Sequence, residues 1–379
     1  MNAELWLVLV TMVPAALVAA IVLYPIRRFA DRLGLLDQPG GHSTHVQATP
    51  LGGGLGIYLG VAVTFAVGAV AVLALQDQSV LIDSTATWLS VPSSYLSLLP
   101  AVTTKLDSLV GLMIGGTVLV ALGFWDDRQG VSPWIRLAVQ FAVAAMVVLG
   151  LGFELTAFIS APWVTKPLSI VWIVAVINSF NMLDNMDGLS AGVAAIIAGS
   201  MAAVMLSTPN PKSGQPQYLV ASLLLVTAGA LIGFLWHNRP PAKIFMGDAG
   251  SYFVGYMISV AMLIATFAGD GGQRPHAVLA PLCVMAVPMY DMLTVIWIRI
   301  RSGRSIFVGD RSHFSHRLVD LGLSRTQAVV TIYLVTATCG LAAVLLTGIS
   351  VYQAWMVLGI VGCMLLLVVI LESTSWRRP

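Results

Sequence analysis

Five aspartates stand in three short segments, each at a point where an apolar run begins or ends. They are Asp126 and Asp127 in GFWDDRQGVSP, Asp184 and Asp187 in NSFNMLDNMDGLSAG, and Asp248 in KIFMGDAGSYFVG. Taken singly, each has an ordinary explanation, because Asp is a common helix N-cap and DG or GD pairs are common in turns. Together, in loops too short to reach far into water, their charges repel unless a cation lies among them. A hard divalent ion with oxygen ligands, most simply Mg²⁺, is the economical partner.

The loop after the ninth apolar run carries the opposite charge. It reads RIRSGRSIFVGDRSHFSHRLVDLGLSR, with His313 and His316 three residues apart and Arg311 and Arg317 beside them. At helical spacing both histidines lie on one face, where they would suit an anionic ligand. An amphipathic segment at the membrane interface would explain the same residues equally well.

Two further polar features are open to more than one interpretation. The loop DQPGGHSTHVQATPLGGGLG combines His42, His45 and a glycine-rich helix entry, whose backbone amides could bind phosphate, although glycines also serve helix packing. Asp291 lies inside the ninth apolar run, roughly 14 Å from its end at a helical rise. A buried acid is costly, so Asp291 is expected either to be paired structurally or to belong to a polar path.

The elements that position these residues are apolar runs of membrane length. The 379-residue chain is 58% hydrophobic and 9% charged, whereas a soluble domain carries roughly 25% charged residues. A net charge of +2 gives no footprint for nucleic acid. The three cysteines lie in apolar runs without CxxC spacing, which favours packing over a disulfide or a zinc site.

The pattern predicts an all-α, polytopic integral membrane protein with about eleven transmembrane helices in a single catalytic domain, residues 1–379. Long apolar runs without alternation exclude a β-barrel. The first run lacks a basic leader segment and is expected to be a retained helix. The predicted spans are residues 5–24, 51–75, 108–125, 133–152, 168–183, 188–207, 218–237, 250–267, 276–298, 327–347 and 352–371. Close helix contacts are expected at Gly52, Gly56, Gly60, Gly111 and Gly115.

Lysine and arginine predict the orientation. One set of loops holds fourteen of the 19 Lys and Arg residues, the other holds four, and Arg136 lies in the first turn of the fourth span on the side of the larger set. The positive-inside rule then places the N-terminus outside and the C-terminus in the cytoplasm, with all five aspartates facing the cytoplasm. Residues 76–107 form an extracytoplasmic loop, expected to be an irregular cap or a short interfacial helix, and residues 299–326 form the large cytoplasmic loop.

The loop motifs resemble, in order, those of the polyprenyl-phosphate N-acetylhexosamine-1-phosphate transferases, also grouped as glycosyltransferase family 4. The motifs are HSTHVQATPLGGG, DDRQGVSPWIR, NSFNMLDNMDGL, FMGDAGS, PMYD and DRSHFSHRL. The helix count and the HFSHRL loop resemble the bacterial undecaprenyl-phosphate GlcNAc-1-phosphate transferase branch. The sequence departs from the family at Ser43, where members commonly have lysine, and at Ser315, where the usual H-x-H-H has histidine.

The resemblance implies an enzyme of the bacterial inner membrane with its active site facing the cytoplasm. Such an enzyme transfers N-acetylhexosamine-1-phosphate, here most simply GlcNAc-1-phosphate, from a UDP-sugar to polyprenyl phosphate, releases UMP, and starts cell-envelope polysaccharide synthesis. Its partners are the UDP-N-acetylhexosamine, the lipid phosphate and the membrane, with a homodimer as an open option and no nucleic acid.

The resemblance also implies residue roles. Asp248 and Asn181 would hold Mg²⁺, with Mn²⁺ as an alternative ion, while Phe245 would stack on uracil and Asp187 would bond its edge. The lipid phosphate would face Asp126 and Asp127, with Arg136 helping to neutralise it. The remaining implied assignments are Asp184, Asp187 and His313 to catalysis, and His45, Arg311 and His316 to substrate binding.

Three other functions compete with this one. The phospho-MurNAc-pentapeptide transferase of peptidoglycan synthesis belongs to the same family, but it usually has ten helices. A secondary transporter would also have many helices, although its site tends to lie near the membrane midplane, where only Asp291 is expected here. An intramembrane aspartyl protease needs glycine in its GxGD signature at the place where this chain has Phe245.

Overall fold

The computed structural model describes residues 3–37, 49–76, 99–155, 161–210, 214–265, 275–309 and 311–375. Two short strands, β1 (Leu36–Asp37) and β2 (Thr49–Pro50), pair antiparallel. The α-helices are α1 (Ala3–Phe29), α2 (Gly53–Gln76), α3 (Leu99–Thr103), α4 (Leu106–Gln129), α5 (Pro133–Ala145), α6 (Pro162–Leu183), α7 (Leu189–Ser207), α8 (Tyr218–Asn238), α9 (Gly247–Ile264), α10 (Ala280–Val284), α11 (Ala286–Arg301), α12 (Phe314–Asp320), α13 (Arg325–Leu346) and α14 (Val351–Ser375). Met146–Gly150 continues α5 as a π-helix, and Pro275–Leu279 is a 3₁₀ turn before α10.

The spans confirm the predicted all-α membrane architecture. Within the described ranges, ten helices are long and apolar enough to cross a membrane, and the bent pair α10–α11 makes an eleventh. The predicted boundaries hold to within a few residues for most spans. The fifth differs most, because α6 begins at Pro162 instead of residue 168. Proline fits the first position of a helix, where its missing N–H is not needed.

The ninth span is broken, which corrects the prediction of one continuous helix over residues 276–298. Segments His276–Val284 and Ala286–Arg301 meet at Met285 with a bend of 63°. Pro288 has no N–H to donate to the carbonyl of Val284, so the first segment cannot continue through it. In α11 the same proline lies in the first turn, where it is tolerated. The break starts a new helix that carries Asp291 in its second turn.

Helix α9 is the centre of the bundle. It packs against α6, α4, α2 and α8, and most of its residues are buried, whereas few residues of α1, α2 and α14 are buried. Its first turn is approached closely by two other helices. A Cβ added at Gly54 in α2 would lie 2.1 Å from the backbone nitrogen of Gly250, and one at Gly123 in α4 would lie 2.3 Å from that of Ala249. Backbone contact therefore fixes the position of the first turn of α9, which contains Asp248.

The other glycines predicted to serve helix contacts divide into two kinds. A Cβ at Gly60 would lie 2.9 Å from the carbonyl oxygen of Ala15 in α1, and one at Gly115 would lie 2.6 Å from the hydroxyl of Tyr256 in α9. These two confirm close packing. Gly52 is different, because its φ of 107° places it in a left-handed turn just before α2. In the predicted extracytoplasmic loop, residues 77–98 lie outside the described residues, and the described part contains the short helix α3.

Candidate active site

Asp127 caps a helix to which it does not belong. It lies in the last turn of α4, and its Oδ1 accepts a hydrogen bond from the backbone amide of Asp248 at 2.8 Å, while Oδ2 accepts one from Ala249 at 3.3 Å. These amides are first-turn donors of α9, which a helix leaves without internal partners. In its ordinary explanation, the Asp-Asp pair was expected to be an N-cap for the helix that follows it in the chain. Instead one of its members joins α4 to α9.

Asp126 is almost fully buried and both of its oxygens are occupied. Oδ1 accepts from the backbone amide of Val131 at 2.7 Å, and Oδ2 accepts from Arg136 Nη1 and from the Tyr252 hydroxyl, both at 2.9 Å. Arg136 Nη1 also lies 4.0 Å from Asp248 Oδ2. Arg136 therefore bridges the carboxylates of Asp126 and Asp248. Sequence reasoning missed Tyr252, although its place four residues after Asp248 put both on one helix face.

A cavity of about 290 Å³ opens where these helices end. Six of the predicted site residues line it, namely Asp127, Asn181, Asp184, Asp187, Phe245 and Asp248. They come from α4, the end of α6 and the turn after it, the segment before α9, and α9 itself. The aspartates from three separate turns thus converge on one space.

The DNMDG turn, residues 184–188, is held from both sides at its last residue. Gly188 has a left-handed φ of 76°; its amide donates to Asn238 Oδ1 at 2.8 Å, and its carbonyl accepts from the Tyr333 hydroxyl at 2.5 Å. The preceding residue, Asp187, accepts through Oδ2 from the Ala242 amide at 2.9 Å. Its other oxygen, Oδ1, is buried and has no hydrogen-bond partner. A buried acceptor of this kind calls for a donor, and a ligand in the cavity could supply one.

The cavity concentrates negative charge. The pKa of Asp184 is raised to about 7, chiefly by burial and also by the nearby charges of Asp127 and Asp187, against a hydrogen bond from the Gly247 backbone that lowers it. Such a shift is the electrostatic sign of carboxylates that repel one another at close range. A bound cation would relieve this repulsion.

The oxygen atoms around the cavity suit Mg²⁺. This ion prefers oxygen ligands, uses one or two carboxylates and keeps water or substrate phosphate at its other positions, so a closed protein cage is not required. In the part of the chain that the structure describes, no group of three or more His, Cys, Asp or Glu side chains forms a ready cage. Asn181 Nδ2 donates to Asp248 Oδ1 and to Ser251 Oγ, and a half-turn of the amide would instead present its oxygen beside Asp248.

The segment between α11 and α12 that carries Ser312 and His313, together with the start of α12 at His316, is here called the histidine loop, and it folds back onto the broken ninth span. His313 Nδ1 lies 2.9 Å from Asp291 Oδ2, and the Phe314 amide donates to Asp291 Oδ1 at 2.6 Å. Asp291 is fully buried, and of its two expected explanations the structure shows structural pairing. The contact orients the His313 ring through Nδ1 and does not involve Nε2. Because the ninth span breaks at Met285, Asp291 lies in the second turn of a new helix, α11. The loop that follows α11 folds back and contacts this second turn through His313 and Phe314.

Helix α12 also docks onto the DNMDG turn. The Ser315 hydroxyl, which stands where the family commonly has histidine, donates to Asn185 Oδ1 at 2.5 Å. His316 and Asp187 both line a second, smaller cavity beside the first. The histidine loop and the aspartate turn are thus joined by direct contact.

The predicted substrate-binding residues His316 and Arg311 differ from each other in burial and in position. Burial and the charges of His313 and Arg311 lower the pKa of His316, which favours the neutral form of its ring. Arg311 is exposed, and neither Arg311 nor His313 lines the two cavities just described. His45 lies outside the described residues, so its assignment to substrate binding stays a prediction.

Sequence reasoning missed several residues that line the first cavity. Asp37, at the end of β1, and Asn238, at the end of α8, both contribute side chains. Asp37 directly precedes the QPGGH segment, and an acid at the entrance to a Gly and His segment was a signal that could have been noticed. Asn238 gave no such signal, because its role depends on the position of Gly188 in space.

Comparison with known proteins places the site in context. The family model described as glycosyl transferase family 4 matches residues 109–266, which contain all five predicted aspartates. A Mycobacterium tuberculosis protein named decaprenyl-phosphate N-acetylglucosaminephosphotransferase is 33% identical over 349 residues, which cover 84% of this chain and 78% of that protein.

Two further relatives match over more of the chain. A Bacillus subtilis protein named probable undecaprenyl-phosphate N-acetylglucosaminyl 1-phosphate transferase is 28% identical, covering 95% of this chain and 90% of the relative. An Escherichia coli protein named undecaprenyl-phosphate alpha-N-acetylglucosaminyl 1-phosphate transferase is 27% identical, covering 90% of this chain and 84% of the relative.

Proposed function

Because the chain belongs to glycosyl transferase family 4, we propose that it transfers GlcNAc-1-phosphate from UDP-GlcNAc to undecaprenyl phosphate and releases UMP. The observation that carries this proposal is the convergence of carboxylates from three separate turns on one cavity that also contains Phe245. An aromatic ring suits a nucleobase, and a crowd of carboxylates suits a divalent cation that binds a diphosphate. The cavity thus offers Phe245 for the nucleobase, and carboxylates that could hold a divalent cation for the diphosphate.

The nucleotide would enter the first cavity with its base against Phe245. The unpartnered Oδ1 of Asp187 would accept the N–H of the uracil ring, which relieves a buried acceptor. Asn181 and Asp248 would hold Mg²⁺, or Mn²⁺ in its place, and the bound ion would screen the charge of the diphosphate and of the departing UMP. Asp184, beside them, would be kept ionised by the same ion.

The transfer itself needs positioning and neutralisation more than proton transfer. An oxygen of the lipid phosphate attacks the β-phosphorus, the bond from that phosphorus to the bridging oxygen breaks, and UMP leaves with that oxygen. A phosphate monoester has a second pKa near 6, so the nucleophile is already largely ionised at pH 7. Asp126 therefore serves better by holding Arg136 toward the lipid phosphate than as a strict general base, and Asp127 serves by fixing α9.

The histidine loop would bind the sugar phosphate. His313, held by Asp291, would reach it through Nε2, with His316 and Arg311 at the edge of the site. Since both reactants are anionic, the guanidinium of Arg311 and the N–H donors of the imidazole rings on this side would complement the metal on the other.

We also propose where this chemistry takes place. The excess of Lys and Arg in one set of loops supports an N-terminus outside, a C-terminus in the cytoplasm and a site on the cytoplasmic face of a bacterial inner membrane. The nucleotide sugar is soluble, and the acceptor phosphate lies at headgroup level, so a site at this boundary meets both. The product would be the first lipid intermediate of a cell-envelope polysaccharide, and the enzyme could act as a homodimer.

One assay tests the proposal. Purified protein in detergent is given Mg²⁺, undecaprenyl phosphate and a panel of UDP-sugars, and UMP is measured. We expect release with UDP-GlcNAc, loss of release with EDTA, and recovery with Mg²⁺ or Mn²⁺. Asp248→Asn should abolish release while the protein still inserts and keeps its melting temperature. Full activity of that variant would contradict the metal assignment, and solute uptake by proteoliposomes without UMP would favour a transporter.

A further inference from the structure

The side chain of Arg317 ties three parts of the molecule together from a buried position. Its Nε lies 3.1 Å from Glu372 Oε2 on α14, and its Nη2 donates to Thr294 Oγ1 on α11 at 3.0 Å. Its Nη1 donates to the carbonyl of Ser312, within the histidine loop. Arg317 and Glu372 are each only 5% exposed. The guanidinium therefore joins the loop to two helices that lie far apart in sequence.

Tyr290 completes this group of side chains, which we call the Arg317 network (Arg317, Glu372, Tyr290 and Thr294). The Tyr290 hydroxyl donates to Glu372 Oε2 at 2.6 Å, and the guanidinium of Arg317 lies 5.9 Å from the centre of its ring. The same ring packs edge-on against Phe314, at 5.5 Å between centres. Phe314 follows His313 directly, so the network reaches the histidine pair itself.

Helix α12 needs such anchors. It has seven residues, from Phe314 to Asp320, and an isolated helix of this length is not stable in water. At its start it is held by Asp291 and, through Ser315, by the DNMDG turn. The Arg317 network holds its other side. Loss of that anchor would leave the start of α12, which follows His313 and contains His316, held only by Asp291 and by the Ser315 contact.

Apart from these contacts, the position of Glu372 is unfavourable for an ionisable side chain. It lies near the end of α14, an apolar span whose surface is mostly exposed, where an ionisable group is costly. A buried ion pair adds little stability compared with apolar residues of the same size, although removing one partner is strongly destabilising. Stability alone therefore does not explain this pair, whereas holding a loop in one position does.

We propose that Arg317 and Glu372 are positioning residues for the histidine pair, so that span α14 holds the histidine loop in its working position. This inference rests on the proposed function only for the identity of the reaction. The network touches neither cavity directly, and it acts through α12. It makes α14, the least buried of the membrane spans, a functional part of the site.

The central experiment compares Glu372→Gln with a matched control, Val361→Ala, which removes buried apolar packing elsewhere on α14. For Glu372→Gln we expect kcat to fall by up to about 10²-fold, the effect of moving a catalytic group by about 1 Å. The KM for UDP-GlcNAc should stay within about twofold, because the nucleotide cavity is unchanged. For Val361→Ala we expect no change in kcat. A charge exchange, Arg317→Glu with Glu372→Arg, should recover part of the kcat lost by either single change.

A second readout does not depend on activity. Both histidine rings are buried, and diethyl pyrocarbonate modifies accessible neutral histidines, so the rates at His313 and His316 can be followed by mass spectrometry. We expect both rates to rise in Glu372→Gln and not in Val361→Ala. If the wild-type protein released UMP from no UDP-sugar, the proposed function would fail, while this readout would still test the positioning role.

Two results would overturn the proposal. One is a Glu372→Gln protein with wild-type kcat and wild-type modification rates. The other is a Val361→Ala protein that shows the same changes as Glu372→Gln, which would reveal general destabilisation of α14. Should Glu372→Gln not accumulate in the membrane, Tyr290→Phe removes only one hydroxyl from the network, and unchanged kcat and modification rates in that variant would overturn the proposal equally.

Discussion

The carboxylate of Asp127 accepts a hydrogen bond from the backbone amide of Asp248 at 2.8 Å, so an acid at the end of α4 caps the helix that presents the central acid of the site. Asp127→Asn keeps an acceptor oxygen, whereas Asp127→Ala does not. We expect Asp127→Ala to lose about 1 kcal/mol of folding stability, the usual worth of an N-cap, and Asp127→Asn to lose much less. Thermal unfolding in detergent measures both.

UMP release by the same two variants distinguishes the role of Asp127 as a helix cap from the role of its negative charge. Both should lose activity, because each removes one negative charge from the cavity. If Asp127→Asn retained full activity, the Asp127 charge would have no part in the reaction and only its cap would count.

The glycine contacts at the first turn of α9 give a second prediction. Gly54→Ala and Gly123→Ala would each put a methyl group against backbone atoms that cannot move aside. Overpacking costs about 1–3 kcal/mol, and we expect the upper end because the clash is with main chain. Gly68→Ala is the matched control on α2, since it faces open space and gains helix propensity. Melting temperatures that ranked Gly68→Ala lowest would contradict the close approach.

The pKa of Asp184 gives a prediction for pH. Its folded-state pKa of about 7 lies above the usual value near 4, so the folded state binds the proton more tightly than the unfolded state does. The stabilising contribution is therefore complete below about pH 4 and is lost as pH rises through about 7. In EDTA, the melting temperature of Asp184→Asn should exceed that of the wild type increasingly between pH 5 and pH 8.

Added Mg²⁺ supplies the contrast to that experiment. A cation that favours the ionised carboxylate should raise the melting temperature of the wild type at pH 8 more than that of Asp184→Asn. An equal gain in both proteins would mean that Asp184 does not sense the ion.

The contact between His313 and Asp291 gives the fourth prediction. Asp291→Asn keeps the size of the side chain but removes its charge, and with it the firm orientation of the ring through Nδ1. We expect kcat for UMP release to fall by up to about 10²-fold with little change in the KM for UDP-GlcNAc. Met292→Leu, a volume-conserving change at the neighbouring buried position, serves as the control. A larger change in KM than in kcat would place His313 in ground-state binding instead.

Much of the fold could be predicted because the membrane imposes a simple pattern. Apolar runs of bilayer length gave ten spans with boundaries near those observed, and the aspartates at their ends gave the cavity. The failure at the ninth span has a physical reason: composition averages over a window, whereas Pro288 acts at one hydrogen bond.

The rest of the site depends on contacts between segments distant in sequence. Nothing near Tyr252 or Asn238 in the sequence shows that they hold Asp126 and Gly188. The sequence around Glu372 gives no signal of its role, because a single acid near the end of an apolar run resembles an ordinary span boundary. Its partner lies 55 positions earlier in the chain, at Arg317, and only the folded arrangement reveals the pair.

The order of Asp291, His313 and Glu372 along the chain also sets an order for biogenesis. Helix α11 leaves the ribosome before the histidine loop, so Asp291 enters the membrane without His313 beside it, and Glu372 emerges 59 residues after His313. A nascent chain halted before Glu372 would already contain every aspartate of the cavity, yet its histidine loop would still lack one anchor. If Glu372 positions the histidine loop as proposed, translation of the last span supplies the final anchor of the site.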